Sequence, residues 1–180
     1  MRPLLVAAIL CPALLAARPA GADEPAASAA LAAVAQDDRA AAIERYLDRV
    51  FARTNGRVLR QAKTYIPQVV AAARAEGIDP LLVAVIIFCE STWKPKSLGK
   101  AGEVGLMQVH GEAARGFDVA TIDGNLAAGC RWLASRIEKY GSVERGVVAY
   151  IGFSDRARKM GAYRLRLYRA ELARQGLSEP

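Results

Sequence analysis

The sequence predicts an all-α domain whose helices pack around one buried central helix. Residues 81–89 are nine consecutive apolar positions, and a helix apolar on every side belongs in the middle of a domain. Stripes of apolar residues spaced three and four apart recur along the chain, the signature of helices with one inward face. No alternating apolar–polar pattern runs longer than a few residues, and no internal repeat is present.

Length and composition agree. With 180 residues, 53% of them apolar and 24% charged, and a formal charge of +7, the chain suits one ordinary domain. A multidomain enzyme, a polytopic membrane protein, a disulfide-dense miniprotein and a disordered chain are excluded.

The first segment reads as a cleaved leader. Arg2 supplies a positive start, residues 4–17 are apolar, and Ala20-Gly21-Ala22 offers the small-x-small pattern of a signal peptidase site. The apolar run is shorter than the roughly 20 residues that span a bilayer. Removing residues 1–22 loses Arg2 and Arg18 and no acid, which takes the charge from +7 to +5. An exported location is expected, periplasmic or otherwise extracytoplasmic. Two cysteines then remain, Cys89 and Cys130. In an oxidising compartment they are expected to pair, closing a loop worth ~4 kcal/mol on the chain-entropy estimate; two buried free thiols are the alternative.

Residues 23–42 hold ten alanines and no aromatic, a linker turning helical towards Asp37-Asp38. The packed domain is expected over residues 43–176. Ile43, Tyr46, Leu47, Val50 and Phe51 share one helical face. A second short stripe, Val69, Val70 and Ala73, stops at Gly77, the residue type that ends helices in a left-handed turn. Asp79-Pro80 is an N-cap followed by proline at the first helical position, and opens the apolar helix. After a loop with Pro95, Gly99, Gly102 and Gly105, further helices are expected at residues 107–115, 122–140, 143–151 and 156–175.

Glu90 closes the apolar run, so its carboxylate leaves the central helix beside hydrophobic surface. Burial disfavours the charged form and raises a carboxyl pKa, and the negative end of the helix dipole adds to this. Both keep a proton available near neutral pH, as a general acid requires. The alternative is a glutamate that turns into water as its helix ends.

Four blocks follow in order: Glu90-Ser91-Thr92-Trp93-Lys94-Pro95, then Gly105-Leu106-Met107-Gln108, then Asn125 with Gly129 four positions on, then Ala149-Tyr150. The series resembles the catalytic domain of the soluble lytic transglycosylases, whose lysozyme-like fold also includes goose-type lysozymes. The resemblance covers residue 78 to about residue 168. It implies peptidoglycan glycan strands as substrate, a monomer, and no cofactor or metal. By this resemblance Glu90 is the catalytic acid and base. It would cleave the β-1,4 bond between N-acetylmuramic acid and N-acetylglucosamine and close a 1,6-anhydro ring, or cleave by hydrolysis as a lysozyme does. A glycan-binding or scaffold protein of the same fold is the reading from another class.

The resemblance also assigns neighbours. Gln108 and the Gly105-Leu106-Met107 backbone would line the substrate groove, Ser91 would donate near Glu90, and the Tyr150 hydroxyl would point at the Glu90 carboxylate and orient it. Apart from the family pattern, the Cys89–Cys130 bridge expected for an exported chain would tie the catalytic helix to the helix carrying Asn125. Where the family has asparagine after Ala-Tyr, this chain has Ile151. Glu103, Glu112, Asp118, Asp123 and Asp155 are the acids that could partner Glu90 in a hydrolase. The lone His110 reads as a loop residue and leaves no material for a metal cluster. Trp93 and Trp132 could stack on sugar rings, although Trp132 falls in a core stripe with Leu126 and Leu133.

The C-terminal segment carries Arg156, Arg158, Lys159, Arg164, Arg166, Arg169 and Arg174 against Asp155 and Glu171. Such a cluster attracts polyanions, for which the cell wall is a better match than nucleic acid in an exported chain. The alternative is a solvated helix with Tyr163, Leu167 and Tyr168 inward. Small exported enzymes of this kind serve wall turnover or the passage of a secretion apparatus, pilus or flagellum; glycan strands are the expected partner in either role, and such an apparatus is a further one only in the second.

Overall fold

Asp79 and Pro80 start the helix on which the others pack. The Asp79 carboxylate accepts from the Leu81 amide at 2.8 Å, satisfying one orphan donor of the first turn, and proline at the next position loses no hydrogen bond. A computed structural model describes residues 38–53 and 56–180. The expected leader and residues 23–37 of the alanine-rich linker lie outside the described residues.

Among the described residues the helices in chain order are α1 (Asp38–Phe51), α2 (Gly56–Thr64), α3 (Ile66–Ala75), α4 (Pro80–Ser91), α5 (Ile122–Tyr140), α6 (Val143–Ile151) and α7 (Asp155–Gln175), with a 3-10 turn at Gly111–Ala114. Among the described residues the only β pairing is two isolated bridges, Leu98 with Val104 and Val104 with Val109. The all-α expectation holds. No described helix is long and apolar enough to cross a membrane.

Every residue of α4 from Leu81 to Ile87 is buried. The helix is wrapped by α1, α3 and α7, while α5 packs on α3 and α6. Edge-to-face rings join α1 to the far end of α4: Phe88 lies 6.0 Å from Tyr46 and 5.9 Å from Phe51, centroid to centroid. At the near end Asp79 is itself buried, paired with Arg39 at 3.0 Å and accepting from the Tyr168 hydroxyl at 2.7 Å. The cap of α4 thus also pins α1 and α7.

The expected helix boundaries at residues 122–140 and 143–151 match α5 and α6. Three others differ. α1 begins at Asp38, with Ala40 and Ala42 in the core, so alanines assigned to a linker belong to the packed unit. α2 has no counterpart among the expected helices; it buries only Ala62 and therefore leaves almost no apolar stripe. Residues 107–115 hold just the 3-10 turn, because Gln108 and Gly111 take left-handed backbone angles that stop an α-helix before it nucleates.

Candidate active site

Glu90 sits in the last turn of α4, where the apolar run ends and the chain reverses. Thr92 and Trp93 both adopt left-handed conformations, at φ 53° and 60°, uncommon for side chains other than glycine. Thr92 caps the helix by donating its amide to the Phe88 carbonyl, and Trp93 drops fully into the core. These two residues turn the chain away and leave the Glu90 side chain 17% exposed, at the floor of a cleft of about 230 Å³.

Residues from four elements meet in that cleft: Glu90 from α4; Gly99, Lys100, Glu103, Gln108 and His110 from the turns; Tyr150 and Ile151 from α6; Met160 from α7. Gln108, His110, Tyr150 and Ile151 also line an adjoining cavity of about 350 Å³ that runs past Gly129 and Trp132 to Phe153. The two form one groove, with Glu90 on one side and an apolar stretch on the other.

The groove wall opposite α4 is built by a lock of backbone bonds. Asn125, buried on α5, accepts from the Met107 amide at 2.9 Å and donates to the Val104 carbonyl at 2.9 Å. The Tyr150 hydroxyl donates to the Met107 carbonyl at 2.6 Å. Gly105 must be glycine: its φ is +79°, and a Cβ there would stand 2.3 Å from the Asn125 amide nitrogen. One turn along α5, a Cβ on Gly129 would stand 2.4 Å from the Met107 sulfur. The Asn-x-x-x-Gly block is therefore the template against which Gly105-Leu106-Met107 is pressed.

Several expected roles change in consequence. Gly105, Leu106 and Met107 are buried and shape the wall from behind; of that block only Gln108 reaches the groove. Its side-chain amide donates to the carbonyls of Ser97 and Gly105, at 3.2 and 3.0 Å. Tyr150 lines the cleft, but its proton goes to Met107 and not to Glu90; burial holds the phenol well above its ordinary pKa. Ser91 donates back to the Ile87 carbonyl at 3.2 Å, the usual resort of a serine inside a helix, and does not touch Glu90.

Cys89 and Cys130 are free thiols, which corrects the expected bridge. Cys89 lies close enough to Glu90, Arg164 and Tyr46 to share their electrostatics, while the Cys130 sulfur is buried against that of Met107 at 3.9 Å. The two face different neighbourhoods. Burial pushes the Cys130 thiol up to about 12, so it behaves as a small hydrophobe.

The two tryptophans exchange roles. Trp93 is fully buried, whereas Trp132 lines the apolar half of the groove with the Arg136 guanidinium 3.8 Å above its ring. His110 is an exposed loop residue, as expected, and borders both halves. Of the candidate second acids, Glu103 lines the same cleft half as Glu90. It accepts from the Ala101 amide at 2.9 Å, and backbone hydrogen bonds hold it below the usual carboxylate range.

Part of the basic C-terminal cluster is paired. Arg158 meets Asp155, Arg169 meets Glu144 and Glu179, and Arg174 meets Glu171, while Arg156, Lys159 and Arg166 are exposed. Tyr163, expected inward, is 45% exposed. The most consequential member is Arg164. It is buried, and its Nη2 donates to Glu90 Oε1 at 2.8 Å. The signal for it lies in the inward stripe of α7, where Ala157, Gly161, Arg164, Leu165, Tyr168 and Leu172 are buried together; an arginine on such a stripe calls for a buried acid.

Around Glu90, burial favours the protonated form and Arg164 the charged one; burial is the larger effect, and the pKa stands above the ordinary glutamate value. Glu103 adds to the rise. One cleft thus contains a carboxyl biased towards holding its proton and a carboxylate biased towards losing it.

Residues 68–167 match the family model described as Transglycosylase SLT domain. A protein named "Transglycosylase" from Enterobacteria phage PRD1 is 30% identical over 90 residues, which are 48% of this chain and 34% of that protein. The matched stretch spans about a third of that relative's length. On the family match, which takes in Glu90, the Asn125 lock and Tyr150, the chain belongs to the transglycosylase SLT domain family of lysozyme-like fold.

Proposed function

We propose that this chain is a peptidoglycan lytic transglycosylase with Glu90 as its single acid and base. The supporting observation is a partly buried carboxyl, at the end of an apolar helix, on the floor of an open groove, with its pKa raised by burial. Glu90 donates its proton to the bridging oxygen of the β-1,4 bond between N-acetylmuramic acid and N-acetylglucosamine, and that bond breaks. The substrate's own N-acetyl group helps to stabilise the positive charge at C1. Glu90, now a carboxylate, takes the proton of the muramyl 6-hydroxyl, whose oxygen closes on C1. The proton is returned, no water is consumed and a 1,6-anhydro end is formed, which is why one carboxyl suffices where most glycosidases use two.

Trp132 offers an aromatic face to a sugar in the apolar half of the groove, and Ile151 replaces a polar contact there with an apolar one. The leader expected at residues 1–22 would deliver the enzyme to the wall outside the cytoplasm.

Hydrolysis of the same bond is the second reading, and Glu103 is the observation that favours it, since an ionised carboxylate in the cleft could take a proton from an attacking water. Digestion of purified sacculi, with mass spectrometry of the fragments, separates the two. Anhydro-muramyl ends are expected. Reducing ends would establish the hydrolase, and intact sacculi that retain the protein would establish a binder.

A further inference from the structure

We propose that Arg164 is the positioning residue of the cleavage site: its guanidinium, carried by α7 beneath the cleft, grips Oε1 of Glu90 and leaves Oε2 to exchange the proton with substrate. This rests on the reading of Glu90 as acid and base.

The pair has the wrong design for a purely structural role. Arg164 is 2% exposed, and taking a guanidinium out of water is costly unless all its donors are met. They are not. Nη2 reaches Glu90 at 2.8 Å and Nη1 reaches the Met160 carbonyl at 3.2 Å, but Nε is buried with no partner. An apolar side chain at this inward position would serve packing better. What the arginine supplies is a fixed cation against one oxygen of Glu90, from a helix 74 positions away in sequence, while Oε2 carries no hydrogen bond among the described residues.

The chemistry needs such a cation. A carboxyl raised by burial alone holds its proton too tightly to pass it on, and the best catalytic acid has a pKa near the working pH. Arg164 opposes burial and stabilises the carboxylate left after the first transfer. The other charged or titratable groups facing Glu90 are few: Cys89 beside it on α4, with Tyr46 of α1 next to that thiol; Lys100, Glu103 and His110 from the turns; and Tyr150 from α6. Met160, the other α7 residue in the cleft, is apolar. Arg164 is thus the cation in direct contact, and Glu103 the anion that acts against it.

The test compares Arg164→Gln, which removes the charge and keeps a donor, with Arg164→Lys, which keeps the charge. Two readouts are taken: the pH dependence of kcat on purified peptidoglycan, and the titration of the Glu90 carboxyl by carbon-13 NMR, assigned with Glu90→Gln. For Arg164→Gln, kcat near neutral pH falls about ten- to a hundredfold with KM within about twofold. The alkaline limb and the NMR midpoint both rise by about one unit or more, because an opposite charge at this range lowers a carboxyl pKa by about 1–3 units. Arg164→Lys keeps both close to wild type. A folded Arg164→Gln protein with unmoved limb and midpoint overturns the proposal. Should that variant fail to fold, Arg164→Lys decides, and a midpoint shifted by a unit or more with the charge retained overturns it. If the wild type cleaves no glycan, the reading of Glu90 falls, while the NMR comparison still reports whether Arg164 governs its proton.

Discussion

The two walls of the groove are held by different physics. On the α4 side, Glu90 stands at the end of a helix whose residues from Leu81 to Ile87 are all buried, so its position is averaged over many apolar contacts. On the turn side, Val104 to Gln108 are held by individual hydrogen bonds with Asn125, Tyr150 and Ser97 and by two places where only glycine fits. The first wall should yield gradually to substitution, as cores do when volume is kept. The second should fail at one atom, because a buried backbone group without its partner pays the full desolvation cost.

The largest effect that could break this contrast is at Gly105. Gly105→Ala meets both a left-handed backbone angle and the Asn125 amide, and should cost about 4 kcal/mol, read as a fall in the denaturation midpoint. Asn125→Ala orphans the buried Met107 amide, whereas the Val104 carbonyl keeps the Val109 amide, and should cost about 2 kcal/mol; its glycan cleavage should drop further than the lost folded fraction explains. On the helical wall Ile86→Val should cost only about 1 kcal/mol and leave activity per folded molecule unchanged. Tyr150→Phe sharpens the comparison. Its hydroxyl serves the Met107 carbonyl, so about 1 kcal/mol of stability is at stake and kcat should fall less than tenfold; a much larger loss of kcat with stability intact would place the hydroxyl on Glu90 after all.

The smallest effect is a pH dependence. Glu90 has a raised pKa in the folded protein, so the stability that its neutral form contributes is complete below the ordinary carboxyl value of 4.5 and is lost as pH rises through the folded pKa. The melting temperature of Glu90→Gln should therefore gain on that of wild type with rising pH in that window, and the difference should be flat below it.

The helical wall was legible in the sequence because burial on all sides leaves a period-free apolar run, and because Asp79-Pro80 and Gly77 carry their own backbone instructions. Glu90 was legible as the polar residue that ends such a run. Arg164 was not, since its six basic neighbours on the same segment mask an inward position that only the small and apolar residues at spacings of three and four reveal. The turn wall was legible as motif and not as geometry: Asn-x-x-x-Gly and Gly-Leu-Met-Gln are far apart in sequence, and nothing in either states that one is the mould of the other. The cysteine pairing failed for a related reason. Two thiols in one chain say nothing of which way they face, and here one faces Met107 and the other the Glu90–Arg164 pair.

The most direct test of Glu90 is the digestion of purified peptidoglycan by Glu90→Gln. The amide keeps an oxygen for Arg164 and cannot deliver the proton. Fragment release should fall by about a thousandfold or more in a protein that still melts as a cooperative fold at neutral pH. Release at the wild-type rate would contradict the account.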